Sequence, residues 1–335
     1  MGNSILNKAK YSNNTDEWYT DYKTIEMEVI HYESQLNGKK VLCNCDDPYE
    51  SSFSKYFIKN FNRLKLKQLV CISYAKSVMH KNKDGRGLVL VINDMPNKSN
   101  EELGDYEMLN VLNSQNCVDT LNGDGDFRST ECLEYLSAAD IVITNPPFSK
   151  FTELFSLLMK YGKEYLLISN QNALMYKEIF PFIRDDKARV GYHLGDMKFK
   201  VPDDTEPRKT RFWIDETGQK WRSLGNAMWL TNLKVTRKNK DLKLSHKYSR
   251  EKYPRYDNFD AIHVSRVSEI PFDFFGVMGV PLTYLKYHDN EQFEIVGEAN
   301  HGSDNKYDLF KPSINGKETF KRILIKRRKR GNNGV

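Results

Sequence analysis

The stretch Asp140-Ile141-Val142-Ile143-Thr144-Asn145-Pro146-Pro147-Phe148 joins a short apolar run to a turn of polar, proline and aromatic residues. The run is apolar on both faces, a pattern typical of a central strand in a parallel sheet. Ligands of open α/β sheets bind at the carboxyl ends of such strands. The stretch therefore predicts an α/β fold and places a functional site at Asn145 and the residues that follow it.

The tetrapeptide Asn145-Pro146-Pro147-Phe148 suits a reaction at an amino group. Two consecutive prolines fix φ and leave the local carbonyls without competing N–H donors. The side-chain oxygen of Asn145 and the carbonyl of Pro146 can then accept hydrogen bonds from one amine and point its lone pair at an electrophilic methyl group. Phe148 offers a face on which a planar base can stack. The alternative is a proline-rich strand end with no role in chemistry.

The first half of the chain alternates apolar runs with amphipathic stretches, as expected for a parallel sheet covered by helices. A helix is predicted over residues 151–161, with Ser149 as its cap and Gly162 at its end. Residues 211–222 read as a hairpin, and an apolar strand follows over residues 226–235. The other predicted strands cover residues 40–44, 68–74, 88–93, 117–121, 140–144, 165–169 and 189–194.

Composition limits the class of protein. The 335 residues are 39% hydrophobic and 29% charged, which is typical of a soluble globular chain. No apolar run approaches the ~18–20 residues that span a bilayer, and residues 1–5 do not resemble a secretory signal. We therefore expect a cytoplasmic protein without a membrane contact.

The five cysteines do not form a metal-binding pattern. Only Cys43 and Cys45 are close in sequence, whereas a zinc site normally needs two such pairs. Buried free thiols in a reducing compartment account for them better, and we expect no metal.

Positive charge is concentrated in the second half. The net charge is +6, and residues 234–255 hold nine basic residues against two acidic ones. Residues 321–330 form another basic run, which as a charge pattern alone reads as a solvated tail. This distribution of positive charge suits an anionic partner such as nucleic acid. This change in composition predicts a domain boundary near residue 240.

Several segments together resemble a known family, the amino-group methyltransferases with an (Asp/Asn/Ser)-Pro-Pro-(Tyr/Phe/Trp) motif, and within it the EcoRI-type adenine-specific DNA methyltransferases. The resemblance covers nearly the whole chain. Its motifs, in this order, are Thr15-Asp16-Glu17-Trp18-Tyr19-Thr20, Cys43-Asn44-Cys45-Asp46-Asp47-Pro48, Gly123-Asp124-Gly125-Asp126-Phe127-Arg128-Ser129, Asn145-Pro146-Pro147-Phe148, Trp229-Leu230-Thr231-Asn232 and Gly276-Val277-Met278-Gly279-Val280-Pro281.

The resemblance implies S-adenosylmethionine as cofactor. The hydroxyls of Tyr19 and Thr20 would lie against its methionine end, although Thr15 or Asp16 also reads as an ordinary helix cap. Asn44, Asp46 and Asp47 follow the first strand of the sheet. Of these, Asp46 or Asp47 would accept a hydrogen bond from the cofactor's ammonium. This loop lacks the glycines that most methyltransferases have here.

A later loop would bind the other end of the cofactor. Asp126 would accept from its adenine amino group and Phe127 would pack on that ring, while Asn145 would lie beside the reacting methyl group. Asp-Gly-Asp is also a plain turn signal. No acid ends the second strand, so the sequence names no ligand for the ribose. Trp229 is a candidate second aromatic beside the target base, or else a core residue.

The resemblance implies a Rossmann-like methyltransferase domain with a mostly parallel sheet at residues 1–240 and a smaller DNA-recognition domain at residues 241–335. A monomer would flip adenine out of double-stranded DNA and methylate its N6. Alternatives are methylation of RNA or of N4 of cytosine, and a catalytically inactive fold that only binds DNA.

Overall fold

The computed structural model describes residues 18–77, 84–95, 116–236, 242–299 and 312–328. The chain divides into two compact units. The first unit contains Met1–Asn170 and Gly191–Lys234, and the second contains Gln171–Val190 and Val235–Val335. The later division between the units falls after Lys234, and residues 171–190 group with the second unit. The domain boundary near residue 240 stays a prediction. Residues 15–17 of the first motif lie outside the described ranges.

The first unit is built on a ten-stranded sheet. Its strands run in the order β1-β8-β10-β7-β6-β2-β3-β4-β5, with β9 paired to β10. They are β1 (Tyr19–Thr20), β2 (Lys40–Cys43), β3 (Gln68–Ile72), β4 (Leu88–Ile92), β5 (Val118–Thr120), β6 (Ile141–Thr144), β7 (Glu164–Asn170), β8 (Arg189–Lys200), β9 (Phe212–Ile214) and β10 (Lys220–Thr231). The helices are α1 (Tyr22–Val29), α2 (Glu33–Leu36), α3 (Ser52–Lys59), α4 (Thr130–Ala138), α5 (Phe151–Lys160) and, in the second unit, α6 (Phe180–Arg184).

The centre of the sheet is parallel and its flanks are antiparallel. Strands β3, β2, β6 and β7 pair in parallel, and β6 is buried along its whole length, as the sequence predicted. Antiparallel pairs are added through β4 and β5 on one side and β10 on the other. Each predicted strand is present, although β8 continues to Lys200 and the strand predicted from residue 226 begins at Lys220. This mixed α/β arrangement is compatible with a Rossmann-like fold.

Helix α5 leads away from the tetrapeptide. Its buried residues Phe151, Leu154, Phe155 and Leu158 follow the predicted helical spacing. The predicted cap at Ser149 is wrong, because a 3-10 turn over Phe148–Lys150 precedes the helix and its N-cap is Lys150, without a side-chain bond. After α5 the chain turns at Gly162, whose φ of 61° is left-handed, as the glycine predicted.

The buried carboxylate of Glu28 holds helix α1, which follows β1, against strand β8. Glu28 of α1 is fully buried and accepts hydrogen bonds from the backbone N–H groups of Tyr192 and His193 on β8, both at 2.8 Å. The Tyr32 hydroxyl donates to the same carboxylate at 2.9 Å. Since β1 pairs with β8 through Thr20 and its neighbour, these bonds hold the start of the described chain against the sheet.

The second unit contains a smaller sheet in the order β11-β12-β16-β13. The strands are β11 (Ile262–His263), β12 (Val277–Val280), β13 (Phe293–Ala299), β14 (Ser313–Ile314), β15 (Lys317–Glu318) and β16 (Arg322–Arg327). The basic run at residues 321–330 is thus not simply a tail, because its residues up to 327 form β16, between β12 and β13. Ile323, Leu324 and Ile325 are fully buried there, and this burial outweighs the flanking charges.

The loop before α4 approaches the backbone after β3 closely. Gly125 has a φ of 81°, and a Cβ built on it would lie 2.0 Å from the Ser73 carbonyl oxygen. Gly38 also has a positive φ, of 73°, but nothing lies within 4 Å of its Cβ position. Gly125 therefore combines a conformational and a steric requirement, whereas Gly38 has only the first.

We predict that Gly125→Ala lowers the free energy of unfolding by more than Gly38→Ala. The control carries only the strain of positive φ, about 1 kcal/mol, and Gly125→Ala adds the displacement of backbone, about 1–3 kcal/mol. Urea unfolding followed by circular dichroism measures both variants. Equal losses would contradict the close approach at Ser73.

Candidate active site

A cavity of about 270 Å³ lies at the carboxyl ends of β2, β3 and β6. This is the edge at which parallel α/β sheets bind ligands. The structure brings together there most of the residues that the sequence singled out: Tyr19, Thr20, Asn44, Asp46, Asp47, Asp126, Phe127, Asn145 and Pro147. Pro146 and Phe148 belong to the same turn but do not line this cavity.

The Asn145 side chain is held with its oxygen unused. Its amide nitrogen donates a hydrogen bond to the backbone carbonyl of Trp18. Its Oδ1 is buried and accepts no hydrogen bond within the described ranges. A buried acceptor without a partner is costly in a folded protein and points to a donor supplied by a ligand. Asn145 is therefore oriented to accept from an N–H group in the cavity.

Aromatic rings surround Phe148. Its ring is half-buried and lies edge-on to Trp18 at 6.3 Å and to Phe199 of β8 at 6.5 Å between centroids. Trp229, the candidate second aromatic, is instead fully buried in β10 and packs against Phe53. Its core position follows from the apolar residues on both sides of it.

The two neighbouring acids after β2 have different environments. Asp46 is buried and accepts from the hydroxyls of Ser51 at 2.7 Å and Thr144 at 2.5 Å. Burial raises the pKa of its carboxyl to about 7, although these hydroxyls oppose the shift. Both Asp46 oxygens are thus used within the protein, and Oδ2 ties the loop to Thr144, the residue before Asn145.

Asp47 uses only one of its carboxylate oxygens within the protein. Its Oδ1 accepts from the backbone N–H groups of Tyr49 at 2.8 Å and Glu50 at 3.0 Å. Its Oδ2 is buried and has no hydrogen-bond partner among the residues described. The Thr20 hydroxyl is likewise buried without a hydrogen-bond partner among the residues described. Asp47 and Thr20 therefore each have a buried polar atom without a partner among the residues described, whereas both oxygens of Asp46 are bonded.

Asp126 lines the cavity with its carboxylate already paired. Its Oδ1 accepts from the backbone N–H and from Nε of Arg128, both at 2.9 Å, and its Oδ2 lies 2.5 Å from the same guanidinium. These bonds hold the pKa of Asp126 below its usual value. Arg128 also lies over the buried ring of Phe127. A carboxylate has about four acceptor positions, so Asp126 can still accept a further hydrogen bond.

Sequence reasoning missed the residues at the end of β3. Ser73, Tyr74 and Ser77 line the cavity where many methyltransferases have an acid. The hydroxyl of Ser73 accepts from the Leu88 N–H at 2.9 Å. Only their position after a predicted strand could have indicated them, because hydroxyl residues are common in ordinary turns.

The remaining expectations concern metals, cysteines and membranes. In the described part of the chain, no group of three or more His, Cys, Asp or Glu side chains is placed to hold a metal ion. The five cysteines are free, and Cys43, Cys71 and Cys132 are buried. Among the described helices, none has the length and apolar character to cross a membrane.

We predict that Asp46 makes stability depend on pH. Its pKa is about 7 in the folded protein and near 3.8 in the unfolded chain. The protonated Asp46 therefore stabilises the fold fully below about pH 4, and this contribution is lost as the pH rises through about 7. The unfolding free energy of the parent should fall relative to that of Asp46→Asn across this window, by up to about 4 kcal/mol. Urea unfolding between pH 4 and 8 measures the difference, and parallel profiles would refute it.

Comparison with known proteins identifies the family. Residues 5–329 match the family described as adenine-specific methyltransferase EcoRI. The type II methyltransferase M.EcoRI of Escherichia coli is 42% identical over 332 residues, covering 98% of this chain and 97% of the relative. M.MpnI of Mycoplasma pneumoniae is 32% identical over 347 residues, covering 96% and 98%. No solved structure matches the chain. The chain therefore belongs to the EcoRI family of adenine-specific methyltransferases.

Proposed function

We propose that this protein transfers a methyl group from S-adenosylmethionine to N6 of adenine at a specific sequence in double-stranded DNA. Membership of the family and the type II methyltransferase names of its relatives support this reaction, and they also support a role in a restriction-modification system. The observation that carries the proposal is the buried, unpartnered Oδ1 of Asn145.

The cavity residues fit the proposed cofactor. When bound, S-adenosylmethionine supplies an electrophilic methyl group. Asp47 would accept from its ammonium and Thr20 would bond its methionine end, because both offer buried atoms without partners. Asp126 and Phe127 would hold the adenine. Tyr74, at the end of β3, would contact the ribose.

The tetrapeptide would prepare the target amine. Asn145 Oδ1 and the Pro146 carbonyl accept its two N–H groups, which favours the pyramidal, nucleophilic form of the nitrogen. Asn145 is a neutral amide and cannot act as a general base, so the surplus proton leaves to water. Phe148 stacks on the flipped base and offsets part of the few kcal/mol that flipping costs.

The two units would have different functions, catalysis in the first and DNA binding in the second. Every residue that lines the cavity belongs to the first unit, which would carry out catalysis. The second unit would bind the DNA backbone and read bases, since it carries most of the basic run that starts at residue 234. We place this activity in the cytoplasm.

The alternatives have less support. A family described as adenine-specific disfavours N4 of cytosine, and its type II members disfavour RNA. An inactive DNA-binding fold would have no need for two unpartnered acceptors, Asp47 Oδ2 and Asn145 Oδ1, in one cavity.

We predict that Asn145→Ala lowers the single-turnover methylation rate about 100-fold or more, because it removes an acceptor that acts on the reacting amine. Affinities for S-adenosylmethionine and DNA should change little. Asn122→Ala, at an exposed turn, is the matched control and should keep the parental rate. A parental rate for Asn145→Ala would end the proposal.

We predict that Asp47→Asn weakens cofactor binding by about 1.5–3 kcal/mol, because the variant cannot make one hydrogen bond to a charged group. Asp126→Ala should weaken it as well, through the cofactor's adenine amine. Titration calorimetry with S-adenosylmethionine measures both variants, with Asp119→Asn, at an exposed position of β5, as the control. Parental affinity in folded Asp47→Asn would show that the ammonium binds elsewhere.

A further inference from the structure

Arg222 of β10 is a buried cation without a counter-charge. It is 4% exposed, and no other Lys or Arg among the described residues is buried. Its Nε has no hydrogen-bond partner in the described part of the chain, and its guanidinium lies over the ring of Trp18, at 5.0 Å from the centroid. By contrast, Arg63 and Arg128 in the same unit pair with carboxylates.

Arg222 is also subject to the charge of a second arginine. Burial lowers the pKa of Arg222 to about 10, and the charge of Arg208 acts in the same direction. Arg222 is therefore still protonated at neutral pH. Arg208 is exposed and makes no ion pair or hydrogen bond with the parts of the chain that are described. Burying a charge without a partner is expensive, so the buried Arg222 guanidinium, on which the like charge of Arg208 also acts, indicates a place for an anion.

The pair lies beside the catalytic turn. Trp18, on which Arg222 stacks, bonds Asn145 through its carbonyl and contacts the edge of Phe148 through its ring. Arg222 does not line the cavity that holds Asp47 and Thr20. An anion bound by Arg222 would therefore lie beside Asn145 and Phe148 and outside the proposed cofactor cavity.

We propose that Arg222 and Arg208 bind a phosphate of the DNA backbone next to the flipped adenine. This inference rests on the proposed function. A guanidinium binds phosphate with two parallel hydrogen bonds, and stacking on an aromatic ring leaves its N–H edge free to do so. The phosphate supplies the missing counter-charge only when DNA is bound. Because Trp18 contacts Arg222, Asn145 and Phe148, the bound phosphate would also steady the tetrapeptide when the substrate arrives.

The test uses a duplex that contains the sequence the protein methylates, with single neutral methylphosphonate linkages placed in turn around the target adenine. Binding of the parent, Arg222→Gln and Arg208→Gln is measured by fluorescence anisotropy at several salt concentrations. Lys23→Gln, on the exposed face of α1, controls for loss of one positive charge. Arg208→Gln changes an exposed loop, so it tests the proposal even if Arg222→Gln does not fold.

We expect each arginine variant to bind DNA roughly tenfold or more weakly. The slope of log affinity against log salt should become less steep by about 0.9 for each phosphate that the variant no longer neutralises. One linkage beside the target should weaken the parent when it is made neutral, yet weaken the arginine variants no further. Lys23→Gln should behave as the parent, and all variants should keep the parental affinity for S-adenosylmethionine.

Equal sensitivity of parent and variants at every linkage would overturn the inference. A fall in S-adenosylmethionine affinity with an unchanged salt slope would also overturn it, since the anion would then be the cofactor's carboxylate. Failure of the parent itself to bind or methylate DNA would instead refute the proposed function, so the two failures are distinguishable.

Discussion

The hydrogen bond from the Asn145 amide nitrogen to the Trp18 carbonyl is the interaction on which the site depends. A primary amide has a donating end and an accepting end, and this bond uses the first to aim the second. It can form because the buried strand β6 places Asn145 at the carboxyl end of the parallel strands. Strand β1, which pairs with β8, places the preceding residue Trp18 opposite Asn145. The buried Glu28 carboxylate holds α1 to β8 and so supports that placement.

Adjacent acids acquire different roles from their surroundings. Asp46 and Asp47 are both buried, yet Asp46 bonds two protein hydroxyls while one oxygen of Asp47 has no partner among the residues described. The hydroxyl of Thr144 connects Asp46 to the residue before Asn145. The loop after β2 and the turn at Asn145 are thus parts of one hydrogen-bonded structure, which explains how this loop without glycine is held in place.

Local patterns predicted the elements of the first unit well, because β6 and α5 follow the two periodicities that burial imposes on strands and helices. The position of Asn145 in the cavity could be predicted from the strand that precedes it, whereas those of Asp47 and Asp126 followed from the family resemblance. Long-range packing could not. The buried position of Trp229, the burial of β16 despite its charges, and the stacking of Arg222 on Trp18 all join residues far apart in sequence. Ser149 failed as a cap because the prolines before it impose a 3-10 turn first.

We propose that the oriented amide of Asn145 acts on the amino group of adenine in DNA. The most direct test incubates the purified protein with S-adenosylmethionine carrying a deuterated methyl group, together with double-stranded DNA or RNA. The nucleosides are then analysed by mass spectrometry. If Asn145 acts on adenine in DNA, label is expected in N6-methyldeoxyadenosine from DNA alone. Label in N4-methyldeoxycytidine or in RNA nucleosides, or no transfer at all from a cofactor that binds, would contradict it.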